Sequence, residues 1–147
     1  MKILVINGPN LKRLDLREKS IYGDFDYATL ERFIVDIAKS ENIEVEVRQS
    51  DDEATIVSWL HQAADNAQPV IINPAAFTHY SYSIRDAVAM LKAPIIEVHL
   101  SNPMSREEFR HTSVVSGVVN GTIAGFGKNS YHLALIAIKE LIADLTN

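Results

Sequence analysis

Five short apolar runs interleaved with stretches of helical periodicity constrain this chain more than any other feature. The runs are Lys2–Ile6, Glu44–Arg48, Pro69–Ile72, Pro94–Leu100 and Val118–Ala124. All but the second are dense in Ile, Val and Leu, as buried strands are. Glu44-Val45-Glu46-Val47-Arg48 alternates strictly, the pattern of a half-exposed edge strand. Between them, Tyr27–Ser40, Glu53–Ala67, Ser81–Leu91 and Ser130–Leu145 carry apolar residues at helical spacing. Asp26 stands as N-cap of the first, and the last carries a wide stripe of Leu133, Leu135, Ile136, Ile138 and Leu141. Strands alternating with helices imply a parallel sheet covered on both faces. Right-handed crossovers then give a doubly wound α/β fold of flavodoxin-like size, with expected strand order 2-1-3-4-5.

At 147 residues the chain reads as one domain, 1–147, long enough to bury roughly two-thirds of its unfolded surface. Its net charge of −5 argues against a general nucleic-acid surface. No apolar run approaches the ~20 residues of a membrane span, and the N-terminus lacks a signal-peptide pattern. With no cysteine there is neither disulfide nor thiolate metal site, which fits a cytoplasmic address.

In an open parallel sheet, ligands bind beyond the carboxyl ends of the strands where the order reverses. Three such ends are dense in polar residues: Asn7–Asn10, Asn73–His79 and His99–Asn102. Glu97 and His99 share one face of the fourth strand, so a charge inside it needs a partner. Arg106 and Arg110 follow four residues apart, on one side of the segment if it is helical. The pattern fits a site for a small anionic, hydroxyl-bearing molecule; an internal salt bridge from Glu97 to an arginine fits as well.

Leu11–Asp26 is a long polar connection with no evident structure, the usual form of a functional loop or lid. Arg17 and Tyr22 lie five residues apart on it. A phenol with a pKa of about 10 is a poor base unless a cation stands beside it. A surface arginine and a turn tyrosine would read the same way. No Gly-rich phosphate loop is present, and Gly125-Phe126-Gly127 is either a weak anion cradle or a tight turn. His61, His79, His99, His111 and His132 show no metal-ligand spacing.

Motifs along nearly the whole chain settle between these readings. They are Asn7-Gly8-Pro9-Asn10-Leu11, Arg17-Glu18 with Ile21-Tyr22-Gly23, Ile72-Asn73-Pro74, Thr78-His79, Ile84-Arg85-Asp86-Ala87, EVHLSN at 97–102 and REEFRH at 106–111. Gly125-Phe126-Gly127 and Tyr131 with Leu133-Ala134-Leu135 extend them toward the C-terminus. In these the chain resembles the type II 3-dehydroquinate dehydratases, which convert 3-dehydroquinate to 3-dehydroshikimate. The resemblance implies a flavodoxin-like fold, a dodecamer built from trimers, and neither metal nor cofactor. It implies Tyr22 as base, Arg17 as its electrostatic partner, His99 as general acid and Asn10 as holder of a water at the enolate. It further implies Asn73, His79 and Arg110 on ring hydroxyls, the amides of Leu100 and Ser101 on the carboxylate, and Asp86 reaching a neighbouring subunit's site. Glu97 behind His99 and Arg106 are expected as supporting residues.

The chain departs from the family pattern at several positions. Lys12 stands for Asn, Asp15 for Gly, Lys19 for Pro and Thr112 for a second His. Ser50-Asp51-Asp52-Glu53-Ala54 stands for Ser-Asn-His-Glu-Gly. Ala75 replaces a glycine beside the expected ring site, where a Cβ demands either space or a changed φ/ψ. A flavodoxin-like small-ligand-binding module and a catalytically inactive homologue are the competing expectations.

Overall fold

The computed structural model describes residues 1–147. Five parallel strands form one sheet in the order β2-β1-β3-β4-β5, as the alternation predicts. They are β1 (Lys2–Asn7), β2 (Glu44–Gln49), β3 (Val70–Asn73), β4 (Ile95–His99) and β5 (Gly121–Ala124). The helices are α1 (Lys19–Tyr22), α2 (Tyr27–Ser40), α3 (Glu53–Asp65), α4 (Tyr82–Ala89) and α5 (Asn129–Thr146). The period of two along the strands splits the core. Ile3, Val5, Ile71, Ile96 and Val98 pack on α2 and α5. Leu4, Ile6, Val70, Ile72 and Ile95 pack on α3 and α4. Each fully buried Ile or Leu contributes about 1.5–3 kcal/mol, so both helix layers are held by the sheet rather than by propensity.

Capping residues set the helix starts. Asp26 accepts from the Thr29 amide at 2.8 Å, as expected. Asp52, one of the departures, accepts from Thr55 N and Oγ1 and starts α3. Ser81 caps α4 through the Ile84 amide.

Four expectations change. The Leu11–Asp26 connection is structured: Leu11–Leu16 is a 3₁₀ segment, and Leu11, Leu14 and Tyr22 reach the core. The fifth strand is shorter than Val118–Ala124, because Ser116–Val118 makes a 3₁₀ turn. The segment carrying Arg106 and Arg110 is not one helix but two 3₁₀ turns, with Arg106 extended between them. On α5 the buried face is Tyr131, Ala134, Leu135 and Ile138, whereas Leu133 and Ile136 are about two-fifths exposed. A near-continuous apolar run does not reveal which of its faces points inward.

The switch point lies between β1 and β3, where Asn7 and Asn73 are register partners. Gly8 lets the two tips close: a Cβ there would stand 2.8 Å from the Pro74 carbonyl oxygen.

Candidate active site

A cavity of about 130 Å³ opens at this switch point. The β1 tip contributes Pro9, Asn10 and Leu11; the following segment contributes Arg17 and Tyr22. From the β3 tip come Asn73, Ala75, Ala76 and His79, and from the β4 tip His99, Leu100, Ser101, Pro103, Arg106 and Arg110. The fold thus gathers residues as far apart as Pro9 and Arg110 around one small molecule's worth of space.

Tyr22 is buried, and its hydroxyl accepts from two guanidinium groups, Arg17 Nη2 and Arg106 Nη2, the latter at 2.5 Å. Arg17 also lies over the Tyr22 ring, its Cζ 3.9 Å from the centroid. Such an oxygen is a place where negative charge is stabilised. Arg106, expected in support, therefore sits in the cavity itself, and it also donates to Ser101 Oγ at 3.1 Å. Only folding brings it there, because 84 residues separate it from Tyr22. Gly23 turns the chain out of α1 at φ +102, with the Phe25 ring where a Cβ would be.

Glu97 is wholly buried, yet no arginine meets it, so the salt-bridge alternative fails. Its Oε2 accepts from His99 Nε2 and Thr78 Oγ1, both at 2.5 Å. Its Oε1 accepts from Ser116 Oγ at 2.6 Å, with Ser113 Oγ farther off at 3.5 Å. Burial pushes the Glu97 carboxyl up, but the His99, Ser116 and Thr78 hydrogen bonds and the imidazolium charge outweigh it. The group is held below the usual carboxylate range. The carboxylate thus occupies His99 Nε2 and leaves Nδ1 as the ring's remaining nitrogen. No sequence pattern marks Ser113 or Ser116, and Thr78 enters only beside His79 in a motif; a buried glutamate's demand for donors is the signal that points to such hydroxyls.

His79 donates from Nδ1 to the Thr112 carbonyl at 2.8 Å and packs edge-on against Phe109, leaving Nε2 for a ligand. Arg110 is pinned through Nε by Glu107 at 2.7 Å. Asn10 lies at φ +68, a conformation asparagine tolerates, and its backbone N–H donates to Asp51 Oδ1 at 2.9 Å. Asp51 is one of the departures; its carboxylate also takes Gln49 Nε2, tying the β2 end to the pocket rim.

Asp86 does not line this cavity. It is exposed on α4 and paired with Arg85. Gly125-Phe126-Gly127 is a tight turn, not an anion cradle: Gly127 N donates to the Leu100 carbonyl and Phe126 N to Ser130 Oγ. No group of three or more His, Asp or Glu is placed to hold a metal ion. No helix is long and apolar enough to cross a membrane.

Ala75 answers the question its sequence raises by changing backbone conformation. It lies at φ +51, with its amide donating to Asn73 Oδ1 at 3.1 Å.

Comparison with known proteins agrees with this geometry over nearly the whole chain. Residues 1–139 match the family model described as dehydroquinase class II. A 3-dehydroquinate dehydratase of Dictyoglomus turgidum is 52% identical over 138 residues, covering 94% of this chain and 95% of that protein. One from Salinispora tropica is 50% identical over 135 residues, covering 92% and 94%. The crystal structure of type II dehydroquinase from Propionibacterium acnes superposes with a TM-score of 0.92 at 51% identity, covering 95% and 96% of the two chains. A 3-dehydroquinate dehydratase-like protein from Bifidobacterium longum gives 0.74 at 43% identity, covering 97% and 98%. With its switch-point cavity and its five-strand order, the chain belongs to the class II dehydroquinase family.

Proposed function

We propose that the protein is a type II 3-dehydroquinate dehydratase, a hydro-lyase that eliminates water from 3-dehydroquinate to give 3-dehydroshikimate. The observation that carries this reading is the pairing, around one cavity, of a phenolic oxygen held by two guanidiniums with an imidazole held by a buried carboxylate.

The Tyr22 phenolate takes the proton from C2, next to the ketone, and the C–H electron pair becomes an enolate. Arg17 and Arg106 stabilise the phenolate before the transfer. Asn10 holds the water that donates to the enolate oxygen; a preorganised donor of this kind is worth roughly 2.7–4 kcal/mol. As the enolate collapses, the C1–O bond breaks and the protonated His99 gives its proton to the departing hydroxyl, which leaves as water. Glu97 stabilises the imidazolium and fixes its ring. Asn73, His79 and Arg110 bind ring hydroxyls, and the Leu100 and Ser101 amides take the carboxylate. The Arg17–Tyr22 segment closes over substrate and excludes water. The route uses no metal or cofactor. Exposed Asp86 completes a neighbouring subunit's site in a dodecamer built from trimers, in the cytoplasm.

The test follows the ultraviolet absorbance of the conjugated enone product from 3-dehydroquinate. Wild-type protein should turn over, and Tyr22→Phe should lower kcat by about 10²–10⁴-fold while still binding substrate. No product from the wild type, or a near-normal rate in Tyr22→Phe, overturns the reading.

A further inference from the structure

We infer that Tyr131, on α5 and outside the cavity, is a positioning residue that fixes how Asn73 presents its amide to the substrate. The inference rests on the reading of Asn73 as a substrate-binding residue.

Tyr131 is completely buried, and its hydroxyl has one proton to give. It gives that proton to Asn7 Oδ1 at 2.6 Å. It can then only accept from Asn73, and it does so from Nδ2 at 2.9 Å. The other end of the same amide is fixed too, because Asn73 Oδ1 accepts the Ala75 N–H at 3.1 Å. Flipping Asn73 would turn Nδ2 toward the Ala75 donor and Oδ1 toward a phenol whose proton is already committed. The Tyr131 oxygen and the Ala75 N–H together therefore select one of two amide orientations, and leave one Nδ2 hydrogen to meet a ligand.

Burial pushes the Tyr131 phenol up and keeps it neutral, so it holds the proton on which this arrangement depends. Asn7 Nδ2 stays buried without a partner. An apolar residue at position 7 would avoid that cost but leave Tyr131 no acceptor. The mechanism gives neither Asn7 nor Tyr131 any other task.

Steady-state kinetics on the full chain test this in a double-variant cycle of Tyr131→Phe with Asn73→Ala. Tyr131→Phe should raise KM about tenfold with kcat within about twofold, as loss of uniform binding does. In the Asn73→Ala background the same change should alter kcat/KM by less than about twofold. A lowered Tm with unchanged KM would mean a merely structural hydroxyl, and effects that multiply in the double variant would mean an independent one; either overturns the inference. Should Tyr131→Phe fail to fold, Asn7→Ala removes the acceptor instead and carries the same cycle. Wild-type kinetics in Asn73→Ala, where Tyr131 is intact, would sink the Asn73 assignment itself.

Discussion

Replacing Glu97 by glutamine keeps the side-chain shape but removes the charge and turns one acceptor oxygen into an NH2 donor, so it tests what the buried carboxylate does. Three close donors meet it: His99 Nε2, Thr78 Oγ1 and Ser116 Oγ. Charge-assisted hydrogen bonds are worth about 1.5–3 kcal/mol against roughly 1 for neutral ones. Losing that margin of about 0.5–2 kcal/mol three times sets a gross loss of about 1.5–6 kcal/mol. Against it stands the relief of no longer desolvating a charge. The carboxyl stays below its ordinary range despite its burial, so its bonds outweigh desolvation and the net effect is destabilising. A net loss of about 1–2 kcal/mol should lower Tm by roughly 2–8 °C. The effect on turnover should be larger, a fall in kcat of about 10–100-fold, because the imidazolium loses its counter-charge. Ser116→Ala is the control: Ser116 meets Glu97 only at Oε1, away from His99, and its hydroxyl otherwise accepts only from Thr122 Oγ1, so the change should cost comparable stability but leave kcat within a few-fold. Calorimetry and the enone assay measure both quantities. If Glu97→Gln keeps kcat within twofold of wild type, the carboxylate is only a structural acceptor and the His99–Glu97 pairing has no part in the chemistry.

Ala75→Gly removes a methyl from a left-handed position that costs a non-glycine residue about 1–2 kcal/mol, against roughly 0.4–1 kcal/mol for glycine's extra unfolded freedom. Tm should rise by about 1–3 °C, and a fall as large as that of Ala76→Gly would refute the strain. Burial raises the Tyr131 and Tyr27 phenols, so their stabilisation is complete below the unfolded tyrosine value of about 10 and is lost as pH rises beyond it. Stability should therefore fall above about pH 10 by up to ~1.4 kcal/mol per pH unit for each phenol, more shallowly in Tyr131→Phe; pH-dependent denaturant titration measures the slope.

What the sequence shows and hides follows from the range of the physics involved. Strand order was legible because the apolar runs, the helical periods and the handedness of crossovers leave few topologies. The strand-end clusters were legible because polar tips on apolar strands are anomalous in composition alone. Glu97 and His99 were legible as a pair because the period of two places them on one face. Arg106 could be seen as a cation but not as Tyr22's second partner, since 84 residues and two 3₁₀ turns intervene. The hydroxyls of Thr78, Ser113 and Ser116 carry no periodic signal, and they converge only because Glu97 must be satisfied. Ala75's conformation was posed as a question by its departure from glycine and answered by the backbone.

The charge of the whole chain is a poor guide to the field in the cavity. A net −5 suggests nothing that attracts an anion, yet Arg17, Arg106 and Arg110 all line the cavity. The compensating acids lie off it: Glu107 takes Arg110 through Nε only, and Glu97 is turned toward His99 and the hydroxyls. Tyr22 receives two of the three cations and offers them no formal charge until it is deprotonated. The site therefore holds positive potential in reserve for charge brought by a ligand or developed during reaction. That arrangement suits the anionic substrate and the enolate of the mechanism proposed above, because both bring negative charge to cations already in place.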